Sequence, residues 1–184
     1  MTTYEKVREI LGELDDVFSR IDDKEIDALC DAVLSARRIA LFGLGREGLT
    51  MRSFAMRLMH LGFNSAVVFD VTTPPVGPGD LFLVSCGPGH LPTAEALLDV
   101  AKKAGARLLV LTAQPDGPAP RMADLRVYLP AQTMAEAEGS SSKQAMGSAF
   151  EQSLWILFDA LVPRLQAATG QTLEDVRARH TNLE

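Results

Sequence analysis

The sequence predicts an α/β fold, a three-layer sandwich in which helices cover both faces of a five-stranded parallel sheet. Strand-like and helix-like segments alternate along most of the chain, and the strand-like segments are predominantly apolar runs. Two glycine-rich loops each directly follow one of these apolar segments. Continuously apolar strands are typical of parallel sheets that are covered on both faces, and right-handed crossovers between them build a doubly wound sandwich.

The individual elements follow from the spacing of the apolar residues. Apolar runs predict strands at 38–44, 65–70, 80–85, 107–112 and 125–129. Helical periodicity predicts helices at 48–61, at 92–104 and from about 144 to 168. We expect the flavodoxin-like strand order 2-1-3-4-5, in which the connections reverse direction between strands 1 and 3. Open α/β sheets bind ligands at such a switch point.

Two more helices are predicted before the first strand. Apolar residues recur at helical spacing from Tyr4 to Ile21, and Asp22 or Asp23 suits the cap of a second helix. The 184 residues suffice for one α/β domain and are too few for two ordinary ones. We therefore expect a single domain over 1–184, with an N-terminal helical extension of about 1–36 and C-terminal helices of about 144–184. The apolar face of the first helix should pack on a second helix or on another subunit.

Composition narrows the functional classes. The net charge of −6 disfavours a broad surface for nucleic acid or an anionic membrane. The first residues do not resemble a secretory signal, and no apolar stretch approaches the ~20 residues of a membrane span. Cys30 and Cys86 are far apart, and the histidines lack metal-ligand spacing, so we expect neither a disulfide framework nor a metal site. A cytoplasmic protein is the simplest interpretation.

The two glycine-rich loops predict the binding site. They read Gly-Leu-Gly-Arg-Glu-Gly at 43–48 and Ser-Cys-Gly-Pro-Gly at 85–89. Glycines let a backbone approach a ligand closely, and the helix that follows offers free N–H groups to an anion. The candidate contacts to a bound substrate around these loops are Gly45, Arg46, Glu47, Arg52, Ser85, Gly87, His90 and Thr93. Arg46 and Arg52 suit a phosphate or carboxylate, but each is equally explained as a solvated charge. Thr93 is equally explained as a residue of the first turn of a helix.

The first loop also satisfies the pattern GxGxxG, which is an alternative interpretation. Asp70 ends the next predicted strand about where a ribose-binding acid would lie in a dinucleotide-binding protein. The chain leaves no room for a catalytic domain after such a fold, however. The glycines are explained equally well by a tight turn from strand to helix.

Glu151 and His180 are the remaining candidates. Glu151 begins an otherwise apolar helix, where a carboxylate is stabilised by the helix dipole or acts as a base. His180 lies in a polar tail that, by itself, reads as a frayed and exposed end. His60 precedes the helix-ending Gly62 and is more simply explained as a structural residue.

Several of these segments together resemble the sugar isomerase (SIS) domain family, and within it the 6-phospho-3-hexuloisomerase group. The similar segments are Gly-Leu-Gly-Arg at 43–46, Phe-Ala-Met-Arg-Leu-Met-His-Leu-Gly at 54–62, Thr-Thr-Pro at 72–74, Met-Gly-Ser-Ala-Phe-Glu at 146–151 and Arg-His-Thr-Asn-Leu-Glu at 179–184. The stretches at 55–62 and 179–184 are specific to the hexuloisomerase group, whereas the glycine loops are shared by the wider family.

The resemblance implies a five-stranded parallel sheet, a homo-oligomer (tetramer or dimer) and active sites near subunit boundaries. It implies interconversion of a 3-ketohexose 6-phosphate with fructose 6-phosphate through a cis-enediol, without a cofactor. It also implies that Glu151 and His180 are catalytic, with His180 reaching the cleft of a neighbouring subunit, and it adds Thr72 to the substrate-binding residues.

The chain departs from the family pattern where a phosphate is expected to bind. The first loop of the family usually has serine where this chain has Glu47, and Pro88 in the second loop has no N–H to donate. A second hypothesis is therefore a non-catalytic or altered-specificity SIS protein that binds another sugar derivative. The third is the dinucleotide-binding protein.

Overall fold

The computed structural model describes residues 1–134 and 142–183. The helices are α1 (Thr3–Ser19), α2 (Asp23–Ser35), α3 (Gly45–His60), α4 (Pro92–Lys103), α5 (Pro118–Met122), α6 (Ser148–Thr169) and α7 (Leu173–Ala178). The strands are β1 (Arg38–Phe42), β2 (Ser65–Val67), β3 (Asp80–Ser85), β4 (Arg107–Thr112) and β5 (Leu125–Tyr128).

The five strands form one parallel sheet in the order β2-β1-β3-β4-β5, which confirms the predicted fold and strand order. All six residues of the central strand β3 are buried. One apolar core lies between the sheet and α2, α3 and α6. A second core lies on the opposite face, under α4 and α5. The sheet is therefore the middle layer of a three-layer sandwich.

Several boundaries differ from those expected, and backbone conformation explains two of them. The second strand ends at Val67 and not at Asp70, because Phe69 has a positive φ of 76° and the chain turns there. Helix α6 begins at Ser148 and not near Gln144, because Met146 and Gly147 are both left-handed. Helix α3 instead begins earlier than predicted, at Gly45, so the first glycine loop is largely its first turn.

The N-terminal helices form as predicted. Asp22 caps α2 by accepting the N–H of Lys24 at 2.9 Å. Helix α1 packs against α6 and buries Leu14 and Val17, so its apolar face is covered in part by a helix of the same chain.

The end of the chain is more ordered than the expected frayed tail. A capping box at Thr172 starts α7, and the guanidinium of Arg179 anchors the following turn. This group donates to the carbonyl of His60 at 3.1 Å and to Oε1 of Gln171 at 2.7 Å. The Pro- and Gly-rich sequence at 115–120 predicts a loop, but the short α5 begins within it at Pro118. The polar sequence at 136–143 also predicts a loop, and except for Ser142 and Lys143 it lies outside the described residues.

Two negative expectations concern membranes and disulfides. In the part of the chain that the structure describes, no helix is long and apolar enough to cross a membrane. Cys30 and Cys86 are both buried as free thiols.

Candidate functional site

A crevice of about 390 Å³ lies beyond the carboxyl ends of β1 and β3, at the switch point of the sheet. This is the expected position of a ligand site in an open α/β sheet, and the volume suits a small metabolite. Its wall is formed by both glycine loops and the start of α6. The lining residues are Leu44, Gly45, Arg46, Glu47, Pro88, His90, Leu91, Thr133, Met134, Met146, Gly147, Phe150 and Glu151.

The glycines of the first loop allow β1 and α3 to meet closely. A Cβ added at Gly48 would lie 2.5 Å from the carbonyl oxygen of Gly43, so only glycine fits there. Gly45 has a positive φ of 55° and faces open space. The tight turn itself thus explains Gly45 and Gly48, two of the three glycines of the GxGxxG pattern.

Glu47 lies in the first turn of α3 and reaches across to the second loop. Its Oε2 accepts the hydroxyl proton of Ser85 at 2.5 Å and the backbone N–H of Gly87 at 3.1 Å. Burial is the main reason why the pKa of Glu47 is raised. The two hydrogen bonds oppose that shift, and the negative charge of Glu151 adds to it. The carboxylate therefore fills the space between the two loops.

Glu151 is positioned by the sharp start of α6. The left-handed Gly147 precedes the helix, and a Cβ there would lie 2.8 Å from the backbone nitrogen of Met134. The side chain of Glu151 is only 11% exposed, and it forms an ion pair with the guanidinium Nε of Arg46 in the first loop. Arg46 thus neutralises Glu151 and not Glu47.

The second loop is closely packed. Gly87 has no room for a side chain, because a Cβ would lie 2.8 Å from the ring of Phe150 and 3.0 Å from Oε1 of Glu47. Burial, and secondarily the charge of Glu47, raises the pKa of the Cys86 thiol to about 12, so this cysteine is not a nucleophile at neutral pH. His90 lies at the rim with its Nδ1 2.6 Å from Oε1 of Glu95.

Arg52 and Thr72 lie in a different depression of the surface. They line a groove of about 470 Å³ beside β2, together with Asp70. Arg52 forms an ion pair with Asp70 at 2.9 Å. The acid expected to bind a ribose in a dinucleotide-binding protein is therefore paired within this second groove.

His180 lies at the opposite end of α3 from the crevice. Its ring stacks on that of His60, with centroids 5.2 Å apart. His60 ends α3 and Gly45 begins it, which is a separation of about 22 Å at 1.5 Å per residue. Within one chain, His180 and Glu151 are thus on different parts of the molecule.

The structure brings together five of the predicted site residues in the lining: Gly45, Arg46, Glu47, His90 and Glu151. Ser85 and Gly87 lie buried beneath them as the donors to Glu47. Thr93 is exposed in the first turn of α4, outside that lining.

Sequence reasoning missed Thr133, Met134 and Met146, which also line the crevice. They lie in irregular segments on either side of residues 135–141, where periodicity carries no information. In the described ranges, 1–134 and 142–183, no group of three or more His, Cys, Asp or Glu side chains converges as a metal site would.

The fold and this crevice define the class of protein. The chain belongs to the SIS domain family, whose model matches residues 33–156. That range includes both glycine loops and Glu151, and thus every residue that lines the crevice.

Particular relatives are similar over all or most of their length. The 3-hexulose-6-phosphate isomerase of Bacillus subtilis (strain 168) is 38% identical over 185 residues, which is 100% of each chain. The enzyme of the same name from Mycobacterium gastri is 37% identical over 95% of this chain and 88% of its own. A crystal structure from Methanococcus jannaschii, described as inferring a function of 3-hexulose-6-phosphate isomerase, superposes with a TM-score of 0.85 at 28% identity. It covers 98% of this chain and 99% of that chain.

Proposed function

We propose that this chain is an isomerase of the 3-hexulose-6-phosphate type, which converts a 3-ketohexose 6-phosphate to fructose 6-phosphate. The observation that carries the proposal is the full-length similarity to proteins of that name, at 38% and 37% identity. The geometry supports it, because a protected carboxylate lies in the crevice at the switch point of the sheet.

Glu151 is the proposed base. The reaction moves a carbonyl between neighbouring carbons through a cis-enediol, so one carbon-bound proton must be removed and returned. The side chain of Glu151 is nearly buried, and its pairing with Arg46 fixes the direction of the carboxylate. Arg46 also offers positive charge to the developing enediolate oxygen. No cofactor is needed for this chemistry.

We further propose that His180 acts on a neighbouring copy of the chain. Within one chain it stacks on His60, about 22 Å along α3 from Gly45. A homo-oligomer, either a tetramer or a dimer, would present this histidine to the crevice of another subunit. We infer one SIS domain over 1–184, with the N-terminal helices 1–36 and the C-terminal helices as additions to the family core. We also predict a cytoplasmic location, which cell fractionation would test.

The test of the function is the substitution Glu151→Gln. We expect at least about a 10²-fold loss of turnover of 3-hexulose 6-phosphate, with the melting temperature changed little, because the amide retains the shape but not the basicity. Asp159→Asn is the matched control, since Asp159 is an exposed carboxylate on the same helix. Turnover retained in Glu151→Gln would refute the assignment of the base.

A second candidate function is an SIS protein with altered specificity that binds another sugar derivative. The contacts of Glu47 with Ser85 and Gly87 favour it, because they occupy the donors between the loops. A thermal-shift series separates the candidates. Stabilisation by hexose 6-phosphates supports the isomerase. Stabilisation by uncharged or amino sugars alone supports the SIS protein with altered specificity. Stabilisation by NAD(H) or NADP(H) supports the dinucleotide-binding alternative.

A further inference from the structure

The donors between the two glycine loops are already used by the protein itself. A serine hydroxyl has one proton to donate, and a backbone amide has one N–H. Ser85 and Gly87 both direct these protons to Oε2 of Glu47, at 2.5 and 3.1 Å. While Glu47 keeps this position, neither donor is available to a ligand.

The space around Gly87 is also crowded. A Cβ on Gly87 would lie only 3.0 Å from Oε1 of Glu47 and 2.8 Å from the ring of Phe150. An oxygen atom bound to the N–H of Gly87 would need the place that Glu47 holds. Occupation by the carboxylate and by a ligand anion is thus mutually exclusive.

The nearby charges do not reverse this effect. Arg46 is paired with Glu151, and Arg52 with Asp70 in the other groove. Pro88, which lines the crevice beside these donors, has no N–H to offer. A phosphate that approaches the loops therefore meets the carboxylate of Glu47, while both of these arginines are already paired. At an effective dielectric of about 20, like charges only a few ångströms apart strongly disfavour binding.

We propose that Glu47 determines the specificity of the crevice by competing with the phosphate end of a sugar phosphate for Ser85 and Gly87. The consequence is that this chain holds a phosphorylated sugar hardly more tightly than the same sugar without its phosphate. The inference rests on the proposed function only in taking the crevice as the sugar site. It assigns to Glu47 a binding role that is separate from the chemistry of Glu151.

The test measures the affinities of fructose 6-phosphate and fructose by calorimetry, for the unmodified protein, Glu47→Gln and Glu47→Ser. We expect the two ligands to bind the unmodified protein within about threefold of each other. Glu47→Gln removes the charge, and Glu47→Ser also frees both donors and adds a hydroxyl. The affinity for fructose 6-phosphate should rise at least about tenfold in Glu47→Ser, and by a smaller factor in Glu47→Gln. The affinity for fructose should change little in either variant.

Asp99→Asn is the charge-matched control. Asp99 is a half-exposed carboxylate on α4 that pairs with Lys103, so its loss changes the net charge equally without touching the loops. A comparable gain in Asp99→Asn would attribute the effect to net charge and refute the proposal. The proposal would also be refuted by a Glu47→Ser variant that melts normally but binds fructose 6-phosphate no better than the unmodified protein. If Glu47→Ser does not fold, Glu47→Gln decides instead: no gain in its affinity for fructose 6-phosphate would refute the proposal.

This outcome is distinguishable from a failure of the proposed function. If the unmodified protein isomerises 3-hexulose 6-phosphate but Glu47→Ser gains no affinity, the isomerase stands and the role of Glu47 is refuted. If Glu47→Ser gains affinity but no variant isomerises the substrate, the role of Glu47 stands and the isomerase is refuted.

Discussion

Glu47 is a carboxylate that the fold partly buries and holds by two hydrogen bonds. Burial raises its pKa and outweighs the lowering by Ser85 and Gly87. A carboxyl group whose pKa is higher in the folded than in the unfolded state binds protons more tightly when folded. Its stabilising contribution is therefore complete below the unfolded pKa and is lost as the pH rises through the folded value.

This linkage predicts how stability depends on pH. Glu47→Gln keeps the shape of the side chain but cannot ionise. Its melting temperature should therefore rise relative to that of the unmodified protein as the pH increases from about 4 to about 8. Parallel thermal melts over this range measure the difference, with Asp99→Asn as the control. A difference that shrinks as the pH rises would mean that the pKa of Glu47 is lowered instead.

At the scale of elements, the junction between β1 and α3 depends on a contact between two glycines. Gly48 lies in the first turn of α3, and a Cβ there would lie 2.5 Å from the carbonyl oxygen of Gly43. Because the obstructing atom is backbone, the junction itself would have to shift. This junction also directs Arg46 and Glu47 into the crevice.

Gly48→Ala should accordingly destabilise the protein by about 1–3 kcal/mol, despite the better helix propensity of alanine. The matched control is Gly12→Ala in α1, where an added Cβ meets no atom within 4 Å. That substitution should stabilise the protein by up to about 1 kcal/mol. Urea unfolding of both variants measures the two changes. A Gly48→Ala variant as stable as Gly12→Ala would show that the junction adapts at no cost.

At the scale of the whole molecule, Glu151 and His180 lie on different parts of one chain. The C-terminal turn is fixed by Arg179 on the end of α3, so a swing of the tail into its own crevice would break several contacts. A second copy is the simpler way to bring a histidine to Glu151. One chain does not hold both groups in one site, so a shared site requires an assembly of at least two copies.

The prediction is that two inactive variants complement each other. Glu151→Gln and His180→Asn should each be inactive alone. Random mixed oligomers should recover activity in up to about a quarter of the sites, because some sites then combine the intact glutamate of one chain with the intact histidine of another. Co-expression with two affinity tags isolates the mixed oligomers. Mixed oligomers no more active than either variant would refute a shared site.

The sequence by itself determined the sheet and much of the crevice. Continuous apolar strands predict a parallel sheet because helices must cover both of its faces, and β3 and β4 begin and end at the predicted residues. Glycine loops after β1 and β3 predict a site because the carboxyl ends of these strands meet at the switch point. Both inferences depend on local pattern and on general rules of chain topology.

Only the tertiary structure decided which charged groups meet. The partner of Arg46 is Glu151, 105 positions along the chain, and the donors to Glu47 lie 38 and 40 positions away. The same packing placed Arg52 in a separate groove and His180 against His60. Such pairings depend on distances and burial in the folded chain, which periodicity does not encode. The sequence therefore predicted that the two glycine loops meet at one crevice, and the fold decided that Glu47 already occupies the donors between the loops.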